Sequence, residues 1–403
     1  MPGFKQADGT SAQMSTETLA SVVGIGALPV GKYNDTLEHE MLLRALVEAV
    51  ADAGLDKRDI DALVFSLPRP YCEQRYFGTF MAGYLEMPVD DILLEVLGNG
   101  MTGGLAFDLA VDRVATGKAK VAVALGVNRE LHVPTGEHMH LSMRAVGDVD
   151  FHVPFGVTPI AWYALNATRY MHDYGLTREQ LATIPVKNRR HATMNPIAQL
   201  RKEITLQDVL DARPIVRPLG LLDVPPRSDG AVAIVVARPD IARSLGRGVN
   251  VVGRGFYHEG VHQVSSRPSD LTTFESARVA SEKAYSAAGI KPSDLDFVEV
   301  YAPCSIVELI LTESLGLFPK GTGGQAAAAG ETSIGGQMPI CPSGGLASRG
   351  HPPHVTPLYN VYEAVQQLRG EAGDRQVAGA GLGAVTAELG DYNATMMHIL
   401  TAP

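Results

Sequence analysis

Two glycine-rich segments frame the side chains best able to do chemistry. Gly344-Gly345-Leu346-Ala347-Ser348-Arg349-Gly350-His351-Pro352 presents one histidine, and Gly98-Asn99-Gly100-Met101-Thr102-Gly103-Gly104 is a second loop of the same kind with no cysteine in it. Glycines around a polar side chain permit tight turns and close approach of the backbone to a ligand, and they leave amide N–H groups free to stabilise an oxyanion. His351 can act near neutral pH as a base or as a neutral hydrogen-bond donor, with Pro352 restricting the backbone behind it. The alternative is a buried histidine that only pins the loop. The Gly98–Gly104 loop reads as a nucleophile loop whose nucleophile is missing.

Other candidates are more scattered. Cys304 sits beside Tyr301 at the start of an expected helix, where a thiolate can be stabilised; otherwise it is a small packing group. Cys341 precedes the late glycine segment, and Cys72 stands alone. The three cysteines lack zinc-finger spacing, and no histidine or carboxylate cluster has a metal-binding spacing, so no metal is expected. His132, His138, His140 and His152, with Arg129, Arg144 and Trp162, make a mixture suited to a polar ligand mouth or to ordinary loop hydrogen bonding. Arg189-Arg190-His191 is a compact positive segment that could meet phosphates.

Elements must bring these residues together, and an internal echo indicates how. Ser21–Gly26 and Asn250–Gly255 each read as an apolar strand entering a glycine turn. A helix around Leu43–Ala53 then ends at Gly54, as one over Phe274–Ala288 ends at Gly289; Ile60 and Leu295 begin the approaches to buried strands. Duplication of an α/β unit explains this pattern. Each half also has a second strand-to-helix junction: Glu95–Leu97 enters the first glycine loop and a helix over Leu105–Gly117, while Val298–Tyr301 enters a helix over Ile306–Gly316. Strand-like runs over Lys120–Val127, Ala231–Ala237 and Gln376–Ala384 complete mostly buried sheets with helices outside. The expected organisation is a flexible tail over residues 1–20, a first half over 21–127, an inserted cap over 128–207, completion of the first half over 208–249, and a second half over 250–403.

The composition narrows the class. With 403 residues, 45% hydrophobic, 42 glycines and a formal net charge of −10, the chain reads as an ordered protein with a large core, and nucleic acid is an unfavoured partner. The start lacks a secretory pattern, and apolar runs such as Val121–Val127 are too short to cross a bilayer, so membrane insertion is not expected. Unpaired thiols fit a reducing cytoplasm.

The duplicated halves, the segment Gly344–Pro352 and the terminal Gly381-Leu382-Gly383 pattern resemble the thiolase superfamily, and nearly the whole chain resembles its bacterial lipid-transfer branch, related to the thiolase part of sterol carrier protein. The resemblance implies a five-layered α-β-α-β-α fold, a homodimer and acyl-CoA as ligand, with coenzyme A entering as part of the substrate and no covalently bound cofactor. In relatives that perform thiolysis or condensation, the acyl-accepting cysteine falls on Gly100, which cannot form a thioester. The adjacent Met101 thioether is no substitute. The histidine of their Gly-His-Pro loop matches His351, and their His-Asp-Cys-Phe segment is replaced by Tyr301-Ala302-Pro303-Cys304. Their second cysteine falls near Val377 or Ala378.

A neighbouring branch resembles the chain in another way. Thiolase-like aldolases that shorten steroid side chains carry a tyrosine at the position of Tyr301 and a second one at the position of His351. They cut a β-hydroxyacyl-CoA without an acyl-cysteine and work with a small zinc-ribbon/OB-fold partner. The resemblance thus implies retro-aldol cleavage of a β-hydroxyacyl-CoA, with a steroid side chain as one substrate class. Tyr301 and His351 are the expected catalytic residues, Cys304 an alternative nucleophile for acyl transfer, Gly100, Met101, Thr102, Gly103, Gly381 and Gly383 the site loops, and Arg189, Arg190 and His191 candidates for CoA. Non-catalytic binding of an acyl lipid is the remaining alternative.

Overall fold

The computed structural model describes residues 18–67, 72–87, 89–145, 147–261, 263 and 270–403. Most of the expected tail, residues 1–17, lies outside the described residues. The strands are β1 (Ala20–Ala27), β2 (Ala62–Ser66), β3 (Ile92–Val96), β4 (Val121–Asn128), β5 (Pro214–Val216), β6 (Leu219–Gly220), β7 (Gly230–Ala237), β8 (Val249–His258), β9 (Phe297–Glu299), β10 (Leu382–Leu389) and β11 (Ala394–Thr401). Nine of them form one sheet in the order β3-β2-β4-β7-β1-β8-β11-β10-β9, and β5 pairs with β6 separately.

Duplication is visible in the pairing. In the first half β2 runs parallel to β4, β4 antiparallel to β7, and β7 antiparallel to β1. The second half repeats this, β9 parallel to β10, β10 antiparallel to β11, and β11 antiparallel to β8. The halves join where Ser21 of β1 faces Asn250 of β8. Helices Thr102–Ala115 and Thr356–Arg369 share a central core with one face of both halves, while helices Glu38–Ala53 and Glu275–Ala288 cover the two outer faces. This is the five-layer α-β-α-β-α arrangement that the resemblance implies, with thirteen α-helices among the described residues.

The echoed glycines are not turns. Gly24 and Gly26 lie inside β1, where an added Cβ would come within 2.2 Å of the carbonyl oxygens of Ala49 and Ala45 respectively. Inside β8, a Cβ on Gly253 would lie 2.6 Å from the Ala284 oxygen, and one on Gly255 would lie 1.9 Å from the Ala280 oxygen. The repeated device is therefore a pair of glycines that lets an alanine-faced helix lie directly on a strand. Both helices do end as expected, at Gly54 (φ 67°) and Gly289 (φ 66°) in the left-handed region.

Residues between β4 and β7 carry helices Thr135–Met143, Pro159–Tyr174 and Arg178–Thr193. The last is locked to helix Ser305–Ser314 by a buried ion pair between Lys187 and Glu308, which also accepts from Asn188 at 2.7 Å. No described helix is long and apolar enough to cross a membrane.

Candidate active site

β9 and β10 run parallel, so their carboxyl ends deliver chain to the same place. Tyr301 follows β9 directly; its N–H donates to Thr386 Oγ1 of β10 at 2.9 Å, and its carbonyl accepts from the Tyr392 hydroxyl. The late glycine segment arrives from the other side. Gly344 (φ 96°) leaves room for Ala192, which a Cβ would approach to 2.6 Å, and Gly350 (φ 115°) likewise abuts Val30 at 2.4 Å. The His351 N–H donates to Ser228 Oγ at 2.9 Å, while buried Arg349 reaches Asn360 at 2.8 Å and Glu299 at 3.8 Å.

These supports set the side chains of Tyr301 and His351 together. The Tyr301 hydroxyl lies 2.7 Å from His351 Nε2, with the rings at 81° to each other. Burial holds the phenol well above its ordinary pKa, reinforced by Glu388 and Glu130. Burial also pulls the imidazole down to about 3, helped by Arg349, His354 and His138. Both groups therefore rest neutral. With the imidazole proton on Nδ1 the phenol donates to Nε2; in the other tautomer Nε2–H donates to the phenol oxygen, whose own proton can reach the Pro353 carbonyl at 3.4 Å.

Gly100 faces this pair. A Cβ there would lie 2.7 Å from Tyr301 Oη and 2.8 Å from Glu388 Oε1, too close for a carbon, so both oxygens crowd the face of Gly100 and a side chain has no room there. The loop is bent by Asn99 at φ 46° and tied by the Thr102 hydroxyl, which donates to the Asn99 carbonyl at 2.6 Å, accepts from Gly98 N–H at 2.9 Å and lies 3.3 Å from His354 Nδ1.

Several expected site residues lie elsewhere. Met101 is turned away, packed with Ala387, Ala394 and Met396. Gly103 serves packing, since its Cβ would meet the His354 oxygen at 2.9 Å. Gly381 and Gly383 belong to the opposite end of the sheet. Gly383 is a strand residue paired with Phe297, whose ring a Cβ would enter at 2.3 Å, and Gly381 N–H binds Asp296 at 2.8 Å. The expected strand over Gln376–Ala384 is in fact Leu382–Leu389, because β10 takes its register from β9, and the loop at the site is therefore Gly390–Tyr392.

Cys304 is buried, and desolvation drives its thiol pKa well up, with the carboxylates of Asp223, Asp391 and Glu388 acting in the same direction. Cys341 is buried beside the Val300 carbonyl with its thiol also pushed up. The positive segment is split: Arg189 is buried against Ser348 at 3.1 Å, and buried His191 contacts the Cys341 carbonyl at 3.0 Å. Only Arg190 is exposed. The cap histidines do not converge, for His132 and His140 are exposed, His152 packs on Trp162, and His138 stands 3.5 Å from buried Glu130.

Sequence reasoning missed Glu388 and Tyr163. Glu388 is 5% exposed and burial pushes its carboxyl up to about 8, with Asp391 adding to the shift. Tyr163, from helix Pro159–Tyr174, is buried near Glu388 and Cys304. The usable signal was the turn chemistry of Leu389-Gly390-Asp391-Tyr392, hidden by the misplaced strand. A cavity of about 560 Å³ lies between the cap and the chain that follows it, lined by Met171, Leu176, Arg178, Arg217 and Leu219 among others, and includes neither Tyr301 nor His351.

Comparison with known proteins agrees with this architecture. Residues 20–215 match the family described as thiolase, N-terminal domain, and residues 258–402 match the thiolase C-terminal domain-like family. The chain is 33% identical to an acetyl-CoA acetyltransferase of Methanothermobacter thermautotrophicus over 94% of this chain and 99% of that one. It is 32% identical to the benzoylsuccinyl-CoA thiolase subunit BbsB of Thauera aromatica, covering 90% and 92%. Among solved structures, the Ltp2-ChsH2(DUF35) aldolase superposes with a TM-score of 0.82 at 29% identity, covering 95% of this chain and 97% of that one. The chain belongs to the thiolase superfamily.

Proposed function

We propose that this thiolase-superfamily chain is a carbon–carbon lyase that cleaves a β-hydroxyacyl-CoA by retro-aldol chemistry. The observation that carries the reading is the 2.7 Å contact between Tyr301 and His351 opposite a loop where Gly100 leaves no nucleophile. Thiolysis needs an acyl-enzyme; retro-aldol cleavage needs only a proton acceptor for the β-hydroxyl and stabilisation of the departing enolate. A tyrosinate base is disfavoured at rest, so the pair works as a relay. The phenol oxygen takes the substrate hydroxyl proton while its own proton passes to His351 Nε2. As that O–H bond breaks, the carbonyl of the ketone or aldehyde forms, the Cα–Cβ bond breaks, and its electron pair becomes the thioester enolate. The charge on the enolate offsets the imidazolium formed beside it.

The likeness to the solved aldolase supports the reading, and that protein's pairing of Ltp2 with ChsH2(DUF35) favours a partner protein here, for which the zinc-ribbon/OB-fold kind expected from the sequence is our proposal. A homodimer is supported by β3, an edge strand of sequence Ile92-Leu93-Leu94-Glu95-Val96 whose residues are all half-buried. Of the positive segment, exposed Arg190 is the member able to meet a CoA phosphate. Acyl transfer is the second reading, favoured by the likeness to the acetyl-CoA acetyltransferase of Methanothermobacter thermautotrophicus. It would require Cys304 to ionise in its buried setting.

The test is incubation of the purified chain, alone and with its candidate partner, with a series of β-hydroxyacyl-CoAs, while ketone or aldehyde is followed by mass spectrometry. Paired release of carbonyl product and shortened acyl-CoA is expected. No product across steroid and simpler acyl chains contradicts the lyase reading for those classes, and binding without conversion favours the non-catalytic alternative.

A further inference from the structure

We infer that Glu388 is the acid that returns a proton to the α-carbon after carbon–carbon cleavage. This rests on the retro-aldol reading and adds the residue that completes it.

Three observations converge. First, Glu388 Oε1 and the Tyr301 hydroxyl close on the same face of Gly100, 2.8 Å and 2.7 Å from where its Cβ would stand, so the two oxygens are close neighbours. The β-oxygen and the α-carbon of one substrate are separated by two bonds, which suits a base and an acid placed so near each other. Second, the carboxyl is held by its other oxygen: Oε2 accepts from the Tyr392 N–H at 3.3 Å. Third, the chain beyond it is strained. Gly390 (φ 51°), Asp391 (φ 61°) and Tyr392 (φ 61°) are successive residues in the left-handed region, two of them with side chains. Such strain persists where the surroundings over-determine it, and sites of chemistry are where it collects. Here it turns the backbone at once after β10, so that the Tyr392 and Asp391 amides point back at the Glu388 carboxyl.

The step balances without a further reactant. The enolate carbon takes the Glu388 proton, giving acyl-CoA and a carboxylate. The proton that came from the β-hydroxyl then leaves His351 and returns through Tyr301 to Glu388. One β-hydroxyacyl-CoA becomes one carbonyl compound and one acyl-CoA.

Run backwards, the same step removes an α-hydrogen from a saturated acyl-CoA, and this needs neither the β-hydroxyl nor the Tyr301 relay. The experiment uses propionyl-CoA with the full chain, and with its partner where one is needed, in D₂O at pH 9, where the carboxylate is populated. Deuterium in the acyl group is read by mass spectrometry, and binding by native mass. The groups facing Glu388 are Tyr301, Tyr163, Tyr392, Asp391 and the Cys304 thiol. Wild type is expected to exchange; Glu388→Gln should lose at least about 100-fold of that rate with propionyl-CoA still bound. Tyr301→Phe should keep the exchange while losing cleavage. Glu388→Asp, which retains an acid one methylene short, should fall between. Exchange unchanged in Glu388→Gln, or absent from the wild type, overturns the proposal. Glu388-dependent exchange in a chain that cleaves no β-hydroxyacyl-CoA would uphold Glu388 as the α-carbon acid and base while removing the lyase reading.

Discussion

Gly100 and Tyr301 compete for one volume: a methyl group on Gly100 would sit 2.7 Å from the Tyr301 hydroxyl oxygen and 2.9 Å from Cζ. A tyrosine in this orientation and a side chain at position 100 exclude each other. Loss of the nucleophile and gain of the phenol are thus one structural change. Gly100→Ala should displace Tyr301 and lower turnover by on the order of 100-fold, since reacting groups tolerate little misplacement. Steady-state kinetics beside native mass would check it; full activity in a folded variant would show that Tyr301 has room to move.

The relay makes Tyr301 and His351 one unit. Tyr301→Phe and His351→Ala should each lower kcat by about 10²–10⁴-fold, and the double variant should be little worse than either single one. His351→Gln sorts the kind of help: retained activity means hydrogen bonding suffices, whereas loss means that the proton must move. Rates that multiply in the double variant would separate the two roles.

The pH profile follows from the two shifts. His351, pulled down to about 3, is neutral throughout the neutral range, while Glu388, held up to about 8, stays protonated until the pH passes that value. Turnover should therefore be level around neutrality and fall above about 8. The same shift has a sign for stability. The folded state holds its proton to about 8 while the unfolded state releases it near 4.5, so stability present below 4.5 is lost as the pH rises toward 8. Glu388→Gln should add more stability at pH 8 than at pH 5, by on the order of 1–3 kcal/mol, while lowering turnover. Thermal melts at both values test this.

Cys304 is a packing group in this account. Cys304→Ser should cost about 1–2 kcal/mol of stability, for placing a hydroxyl in an apolar setting, and leave the rate within a few-fold. Intact-mass spectra after exposure to several acyl-CoAs should show no adduct in the wild type. An adduct that disappears with Cys304→Ser would restore the acyltransferase reading.

The cap is anchored by Lys187, which also donates to the Ile340 carbonyl at 2.9 Å. Lys187→Met leaves Glu308 buried and unpaired and should destabilise by about 3–5 kcal/mol, whereas Lys187→Met with Glu308→Leu should recover much of the loss. Denaturant titrations of the three chains compare them.

The duplication was legible because it repeats local chemistry: helices ending in glycine, short polar turns and apolar strands stand at corresponding places in both halves. The juxtaposition of Tyr301 with His351 was legible only through family resemblance, since 50 residues separate them. Local reading failed at two points. Gly24, Gly26, Gly253 and Gly255 looked like turns because nothing local distinguishes a glycine needed for φ from one needed for helix contact. β10 was placed too early because its register comes from long-range pairing with Phe297–Glu299. That slip put Gly381 and Gly383 at the site and hid Glu388. The split of Arg189 and His191 from Arg190 follows from a helix whose inner face no charge pattern marks.

The central claim is cleavage without an acyl-enzyme, and one measurement meets it directly: single-turnover reaction of a β-hydroxyacyl-CoA, quenched over time, with carbonyl product, acyl-CoA and intact protein mass read from the same samples. The account predicts carbonyl product and acyl-CoA rising together in equal amounts, an unmodified protein at every time point, and neither product with Tyr301→Phe. A protein mass raised by an acyl group during turnover, or cleavage undiminished in Tyr301→Phe, would contradict it.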